Sequence, residues 1–275
     1  MFSSLTPGHG GPLPQCAATY ARLDALKARL DAQRPLAPEV VKNLHADMVV
    51  RYTYHSNAIE DNTLTISETK VVLEDGVTIG GKSMREHLEA INHREAIDYV
   101  VELAGQPGAL TEAEIKDLHQ IVLKSVDSPH AGRYRQQNVL ISGAGFTPPD
   151  FLHVRECMEG FCAWCARAAT NLHPVERAAR VHADFVNIHP FVDGNGRTAR
   201  LLMNLELMRA GFPVVIVPVE ERSAYYANLD AVAVQGDYVP FVEQVCDLVE
   251  KSFAPYWFVL GVHAESEGGS NGAQA

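Results

Sequence analysis

Residues 189–200, HPFVDGNGRTAR, join two helical patterns and decide the fold of this chain. Apolar residues recur at helical spacing before the stretch, and a residue that precedes proline is driven out of the α region, so the first helix should end near His189. The second helix should begin at Gly194-Asn195-Gly196 and end near Gly211. We therefore expect a loop with a histidine at one side and a helix N-terminus at the other.

The residue types in this loop suit a nucleotide and a metal ion. His189, with an ordinary pKa of about 6.5, is mostly a neutral base at pH 7 and can take a proton from a hydroxyl. The N–H groups of Gly194-Asn195-Gly196 and the helix dipole favour an anion. Arg197 and Arg200 share one helix face, and two cations at a helix N-terminus are easier to tolerate when phosphates are bound. Asp193 is a hard oxygen ligand suited to Mg²⁺.

These residues resemble the core motif of the Fic family, HPFx[D/E]GNGRxxR, at every specified position. The resemblance implies transfer of AMP from ATP to a Ser, Thr or Tyr of a target protein, with release of pyrophosphate. It makes His189 the catalytic base and Asp193 the Mg²⁺ ligand. Gly194-Asn195-Gly196 would bind the α and β phosphates, Arg197 the β or γ phosphate, and Arg200 the γ phosphate. The two glycines favour AMP transfer over the phosphorylation of the Doc branch.

A second motif, SNAIEDN at residues 56–62, lies far upstream. Taken alone it is typical of a turn between helices. Beside a Fic core it resembles the inhibitory motif [S/T]xxxE[G/N], which begins here at Ser56 and implies that Glu60 pairs with Arg200 and keeps it from the γ phosphate. Asp61 replaces the usual Gly or Asn, and aspartate can adopt a left-handed turn at modest cost. The same glutamate could instead orient a water that removes AMP from a modified protein.

Two other segments resemble Fic proteins more loosely. Alternating apolar residues within 132–149 predict a short β-hairpin, which in the family is the flap that aligns the target by strand addition. Ile141 and Ser142 would contact the target. Tyr225 and Tyr226 resemble the region that lines the base and ribose. The asparagine that the family has after such tyrosines is absent, so the base preference stays open.

Periodicity predicts an all-α, mainly helical fold, and the resemblance makes it a Fic-type helical bundle with a small β-hairpin flap. We expect a disordered N-terminus at residues 1–14 and a helical region with the inhibitory helix at 15–105. The Fic core would follow at 106–263 and a disordered tail at 264–275. One domain, or one with a small extension, suits 275 residues.

Composition limits the partners. The net charge is −11, from 23 basic and 34 acidic residues, which argues against nucleic-acid binding. No apolar run approaches the roughly 20 residues of a membrane helix. Five cysteines and no signal-peptide pattern favour reduced thiols and a cytoplasmic location. We expect a protein substrate, with self-modification and homo-oligomers both open, and no nucleic acid or membrane.

Two alternatives from other classes remain at this point. A metal-dependent phosphoester hydrolase could use His173, His182, His189 and Asp193, although their spacing does not indicate a two-metal site. A binding module in which ATP only switches the conformation, or a toxin held by an antitoxin, would need no turnover.

Overall fold

The computed structural model describes residues 11–168 and 171–262. Over these residues the chain is mainly helical and contains no β-strand. Its α-helices are α1 (Ala17–Asp31), α2 (Pro38–Ala58), α3 (Ile66–Asp75), α4 (Met84–Ala104), α5 (Glu112–Leu123), α6 (Val154–Ala168), α7 (Pro174–Ile188), α8 (Asn195–Arg209), α9 (Arg222–Gln235), α10 (Val239–Ser252) and α11 (Ala254–Leu260).

Helices α7 and α8 form the centre of the bundle. Residues 197–207 of α8 are all buried, as expected for a helix with partners on every side. Helices α4 and α5 pack on α8, while α10 packs on α7. Leu201 and Leu205 belong to the core shared with α4, α5 and α6, and Met203 and Leu207 to the core shared with α1, α9 and α10. Because α8 is buried against both cores, the loop between α7 and α8 is held in a fixed position at the centre of the bundle.

The segment after Glu60 is anchored by local capping. Thr65 and Glu68 form a capping box that starts α3. Ser83 and Glu86 form a second box at the start of α4. Glu86 Oε1 also accepts hydrogen bonds from Thr63 N at 2.8 Å and Thr63 Oγ1 at 2.6 Å. The turn that follows α2 is therefore tied to α4.

The expected β-hairpin is not formed within residues 132–149. The segment is an irregular loop with turns. Several of its backbone groups are satisfied by side chains: Asp230 accepts from Gly145 N at 3.3 Å, and Arg135 donates to the carbonyl oxygens of Gln137 and Pro149. Two consecutive prolines at 148 and 149 also lack the N–H groups that a ladder needs. The hairpin that the alternating pattern predicts is therefore not present in this structure.

The structure describes only part of the two chain ends for which the sequence predicts disorder. Residues 1–10 and the tail 264–275 lie outside the described residues. Gly11–Pro14, expected to be disordered, pack on α7: Arg180 donates to Gly11 O at 2.8 Å, and Leu13 N donates to Glu176 at 3.2 Å. Among the described residues, no helix combines the length and apolarity needed to span a membrane.

Candidate active site

His189 lies at the junction between α7 and the loop, as the sequence predicts. It ends α7 in the left-handed conformation, with φ 49° and ψ 58°. Its N–H donates to Phe185 O at 3.1 Å, and its carbonyl accepts from Arg135 Nε at 2.9 Å. Burial lowers the pKa of the His189 imidazole to about 4, although the nearby Val186 backbone opposes this shift. The ring is therefore a neutral base at pH 7.

The loop is braced by its own side chains. Asn195 Oδ1 accepts from Phe191 N at 3.0 Å, and Asn195 Nδ2 donates to Phe191 O at 2.9 Å. The Phe191 ring stacks on His119 with centroids 3.5 Å apart. His119 Nδ1 accepts from Gly132 N at 2.9 Å, so Nε2–H donates to Asp193 O at 2.9 Å. The Asn195 side chain is thus engaged in the loop, and only its backbone N–H is available to an anion.

Asp193 is surrounded by cations. Its Oδ1 accepts from Gly194 N at 2.6 Å and from Arg197 Nη2 at 3.2 Å, and its Oδ2 accepts from Arg85 at 2.8 Å. Burial alone would raise the pKa of Asp193, but Arg197, the Gly194 N–H and Arg85 outweigh it and lower the pKa. Arg197 is buried and also meets Glu89 at 3.3 Å. The Arg197 guanidinium is therefore paired with two carboxylates, those of Asp193 and Glu89.

Asp193 is the residue of this loop that could hold a metal ion. Its side chain is 40% exposed and ionised. Mg²⁺ commonly uses one or two carboxylates and completes its shell with phosphates and water. Residues 11–168 and 171–262 contain no group of three His, Cys, Asp or Glu side chains that could hold a metal by themselves. The donor set fits a Mg²⁺ that arrives with a nucleotide.

The N-terminus of α8 is faced by a carboxylate. The first bond within the helix runs from Thr198 N to Gly194 O at 3.0 Å, so the N–H groups of residues 195–197 have no acceptor within α8. A Cβ added to Gly196 would lie 2.3 Å from Glu60 Oε1. Glu60 therefore lies over the helix end that would attract phosphate, and glycine at 196 permits this close approach.

Arg200 is engaged by the end of α2. Its Nε donates to Ser56 Oγ at 3.0 Å, and its Nη2 donates to Ser56 O and to Glu60 Oε1, both at 2.8 Å. Its Nη1 donates to Tyr225 OH at 3.3 Å. Only 1% of the Arg200 side chain is exposed. The contact between Glu60 and Arg200 that the sequence predicts is present.

Asp61 has the left-handed conformation expected for its position, with φ 67°. Arg222 on α9 binds both of its carboxylate oxygens, at 2.5 and 3.1 Å, and this hydrogen bonding lowers the pKa of Asp61. Tyr226 OH donates to Ile59 O at 3.3 Å. Helix α9 therefore holds the segment that carries Glu60 at two points, one on each side of it.

A cavity of about 310 Å³ opens in front of His189. Glu60 and Gly196 line it together with His189. The walls also include four residues assigned from the sequence to the flap and to the base region: Ile141, Ser142, Tyr225 and Tyr226. The remaining predicted site residues, Ser56, Asp193, Gly194, Asn195, Arg197 and Arg200, lie behind or beside this lining.

The two tyrosines of α9 differ in role. Tyr225 is 1% exposed, and its hydroxyl lies 2.8 Å from His182 Nε2 as well as 3.3 Å from Arg200 Nη1. It therefore supports Arg200 besides lining the cavity. Tyr226 is 39% exposed and presents its ring to the cavity. Asp230, which the sequence interpretation missed, lies one turn further along α9 and also lines the cavity.

The sequence interpretation also missed Arg135. This arginine is 3% exposed, and besides its bond to the His189 carbonyl its backbone N donates to Pro190 O at 2.9 Å. It thereby fastens the loop of residues 136–149 to the histidine. No local pattern marks this arginine, because its neighbours are polar and its partners at His189 and Pro190 are distant in sequence.

The histidines of the alternative metallohydrolase do not converge. His173 stacks on Tyr20 with centroids 4.3 Å apart, and its Nε2 lies 3.2 Å from Asp24. His182 is buried against Tyr225. These contacts separate both rings from the Asp193 carboxylate, so the hydrolase prediction is wrong in its residue set.

Comparison with solved structures gives the family. Fic-1 from C. elegans has a TM-score of 0.80 and 34% identity to this chain, and the match covers 89% of this chain and 72% of that one. The chain belongs to the Fic/DOC family. The family profile matches residues 109–207. A Fic domain containing signaling protein from Bacteroides thetaiotaomicron also has a TM-score of 0.80, at 29% identity, over 91% of this chain and all of that one.

The similarity of curated relatives to this Fic/DOC chain extends beyond the matched profile and includes residues 56–62. The Protein adenylyltransferase Fic of Drosophila willistoni is 39% identical over 237 residues, which are 86% of this chain and 47% of that protein. The protein of the same name in Drosophila melanogaster is 36% identical over 265 residues, covering 92% and 53%. The chain spans about half the length of the curated relatives it matches.

Proposed function

We propose that this Fic/DOC chain is a protein adenylyltransferase that moves AMP from ATP to a Ser, Thr or Tyr hydroxyl of a protein. The observation that carries the proposal is the common position of His189, Gly196 and the tyrosines of α9 around one cavity. A neutral base, a helix N-terminus and an aromatic wall are what a nucleotide and a hydroxyl acceptor need. The names of the relatives support the same activity.

In the proposed reaction, His189 takes the proton of the target hydroxyl. The hydroxyl oxygen attacks the α phosphorus of ATP, the bond between that phosphorus and the bridging oxygen to the β phosphate breaks, and pyrophosphate leaves with the electron pair. The lowered pKa keeps His189 unprotonated and ready at neutral pH. The N–H groups of residues 195–197 would stabilise the charge on the phosphates.

Mg²⁺ is the metal that the donor set favours, and Asp193 would hold it. The ion would neutralise phosphate charge and orient the pyrophosphate group. Arg85, which binds Asp193 Oδ2, would keep that carboxylate ionised before nucleotide arrives. Arg197, directed to Asp193 and Glu89, would reach a β or γ phosphate through a change of partner.

Glu60 would act as an inhibitor of this reaction. Its carboxylate engages Arg200 and covers Gly196, which are the groups proposed for the γ phosphate and the anion hole. ATP bound beside Glu60 would lack in-line geometry for attack on its α phosphorus. Removal of the carboxylate would leave Arg200 held by Ser56 and Tyr225 and open to phosphate.

The loop of residues 136–149 would serve as the flap. Ile141 and Ser142 line the cavity beside His189, and Leu140 is 86% exposed. We propose that a target segment pairs with this loop through main-chain hydrogen bonds and that the hairpin expected from the sequence forms only then. The side chain of Leu140 would gain a partner in the same step.

The reaction class is tested by the position of the label. Glu60→Gly protein is incubated with ATP labelled at the α or at the γ phosphate, in a cell lysate and alone, and modified proteins are analysed by mass spectrometry. We expect α label, a mass increase of one AMP, and loss of both with His189→Ala in the same background. Transfer of γ label would indicate phosphorylation, and nucleotide binding without transfer would indicate a binding module.

A second activity at the same site has one observation in its favour. The Glu60 carboxylate lines the cavity together with His189 and could orient a water for hydrolysis of the bond between AMP and a modified protein. The two activities respond oppositely to Glu60→Gly: AMP addition should rise and AMP removal should stop. Incubating an AMP-modified protein with wild-type and Glu60→Gly chains separates them.

A further inference from the structure

A second groove, of about 490 Å³, lies at the base of the flap loop. It is lined by residues 132–136, where the loop begins, and by residues 151, 152, 154 and 155, where the loop has ended. Lys116 on α5 completes it. Because Arg135 belongs to this lining and also binds the His189 carbonyl at 2.9 Å, the groove and the catalytic histidine share one residue.

The charge of this groove is opposite to that of the protein. Lys116, Arg133, Arg135 and Arg155 line it, and no Asp or Glu does, although the chain has a net charge of −11. Lys116 is engaged by Glu112, and Arg135 by backbone carbonyl oxygens. Arg133 and Arg155 are exposed, and among the described residues neither guanidinium group forms a hydrogen bond or a close ion pair, although Lys116 and, less strongly, Arg155 lower the pKa of the nearby Glu112 carboxyl. Two guanidinium groups are therefore available to a partner.

We propose that this basic groove, defined by Lys116, Arg133, Arg135 and Arg155, binds an acidic segment of the protein substrate close to the hydroxyl that receives AMP. The inference rests on the proposed function, because it names the substrate that the flap presents to His189. Free guanidinium groups bind carboxylates in a bidentate manner and give direction as well as affinity. Leu152, which is 73% exposed at the rim, adds an apolar contact.

A protein partner fits the groove better than a nucleic acid. Extended nucleic-acid sites usually engage about 6–10 phosphates, whereas this groove offers two unengaged arginines in a chain of net charge −11. The surrounding charge would repel a long polyanion. A short acidic stretch in a peptide needs only local contact, and its hydroxyl residue can extend toward the cavity along the flap.

The first test measures binding without catalysis. A fluorescein-labelled synthetic peptide with one Thr followed by four Glu is titrated with the full chain, and compared with the same peptide carrying four Gln. We expect about tenfold tighter binding of the Glu peptide, because two solvent-exposed ion pairs contribute only modestly to affinity. Arg133→Gln with Arg155→Gln should remove the preference. Lys42→Gln with Arg167→Gln, which removes two exposed charges elsewhere, should retain it.

Three results would overturn the proposal. One is equal binding of the Glu and Gln peptides, and another is equal loss of the preference in both double variants. Tighter binding of a twelve-nucleotide single-stranded RNA than of the Glu peptide would assign the groove to nucleic acid instead. Circular dichroism melting of the variants excludes unfolding as the cause of a loss.

The second test uses AMP transfer and separates this inference from the proposed function. In the Glu60→Gly background, the Glu peptide should be modified about ten times faster than the Gln peptide, and the Arg133/Arg155 double variant should equalise the two rates. If the Glu60→Gly chain with both arginines intact modifies the two peptides at equal rates, the groove proposal is contradicted. Absence of transfer to any acceptor contradicts the proposed function, while the binding titration still reports on the groove.

Discussion

At the scale of single residues, Arg200 is the group for which the proposed γ-phosphate binding and the proposed inhibition by Glu60 compete. Three acceptor groups besides Glu60 hold its guanidinium: the Ser56 hydroxyl, the Ser56 carbonyl and the Tyr225 hydroxyl. A buried arginine without partners would be strongly destabilising. Since these three contacts remain when Glu60 is removed, the Glu60→Gly chain should stay folded and keep Arg200 in place. The inhibitory contact can therefore be removed separately.

The pH dependence of AMP transfer follows from the burial of His189. A base must be unprotonated, and burial lowers the pKa of His189 to about 4, so activity should be lost only as pH falls toward that value. We expect kcat/KM of Glu60→Gly protein, which reports the groups of the free enzyme, to stay nearly constant from pH 8 to 5.5 wherever circular dichroism shows a folded chain. A loss of activity with a midpoint near pH 6.5 would contradict the lowering of the His189 pKa by burial.

Asp61 should strengthen the inhibition by Glu60. Its bidentate contact with Arg222 holds the turn that carries Glu60 onto α9. Because the pair is largely exposed, Asp61→Asn should raise basal AMP transfer by only about two- to fivefold. Asp75→Asn, at an exposed position of α3, is the matched control. If Asp61→Asn has the same effect after Glu60→Gly, the contact does not act through Glu60.

Single residues could be predicted from the sequence where a local motif defines them. His189 at a helix end and the glycines at the start of α8 follow from residue type, whereas the Glu60–Arg200 pair follows from the resemblance of residues 56–62 to the inhibitory motif of the family. Arg135, Arg222 and His119 could not be predicted, because their partners, His189, Asp61 and Asp193, lie 54, 161 and 74 positions away in sequence. No periodicity encodes such contacts. The contact between Arg197 and Glu89 could not be predicted for the same reason.

At the scale of elements, the ends of helices could be predicted from the sequence, but the conformation of the loop of residues 136–149 could not. The end of α7, the start of α8 and the capping box of α3 each depend on proline, glycine or a Thr-Glu pair within a few residues. The loop of residues 136–149 is shaped instead by Arg135 and Asp230, which bind its backbone groups, and by Asn138, which accepts from Phe151 N just beyond the loop. Apolar alternation carries no information on those side chains.

Both stability and activity should require an arginine, and not merely a positive charge, at position 135. Its guanidinium reaches the carbonyl oxygens of His189, Gln137 and Pro149 together, and one lysine ammonium cannot replace this planar fork. We expect Arg135→Lys to lower the free energy of unfolding by about 1–3 kcal/mol, measured in urea. It should also lower kcat in the Glu60→Gly background. Arg167→Lys, at an exposed position of α6, should change neither, and an equal effect of both substitutions would contradict this role.

At the scale of the whole molecule, several buried histidines link stability to pH. Burial lowers the pKa of each one below its usual value: His55, His93, His119, His182 and His189. Below pH 6.5 the unfolded chain therefore binds protons that the folded chain does not, so stability must fall as pH falls. The limiting slope is about 1.4 kcal/mol per pH unit for each such histidine.

The urea midpoint should accordingly decrease from pH 7.5 to 6.5 and further to 5.5, at constant ionic strength. Carboxylates with lowered pKa, such as Glu86 at about 2, lose their contribution only at more acidic pH and cannot explain a change in this window. A midpoint that is constant or rises over the window would contradict the burial of these neutral rings.

The most direct measurement of the central claim is the initial rate of AMP labelling by wild-type and Glu60→Gly chains under identical conditions. Release of Arg200 from one buried charged contact should raise the rate about 10- to 100-fold, since such contacts contribute roughly 1.5–3 kcal/mol. His189→Ala in the Glu60→Gly background should abolish labelling. Equal rates for wild type and Glu60→Gly, or labelling that persists without His189, would contradict the account.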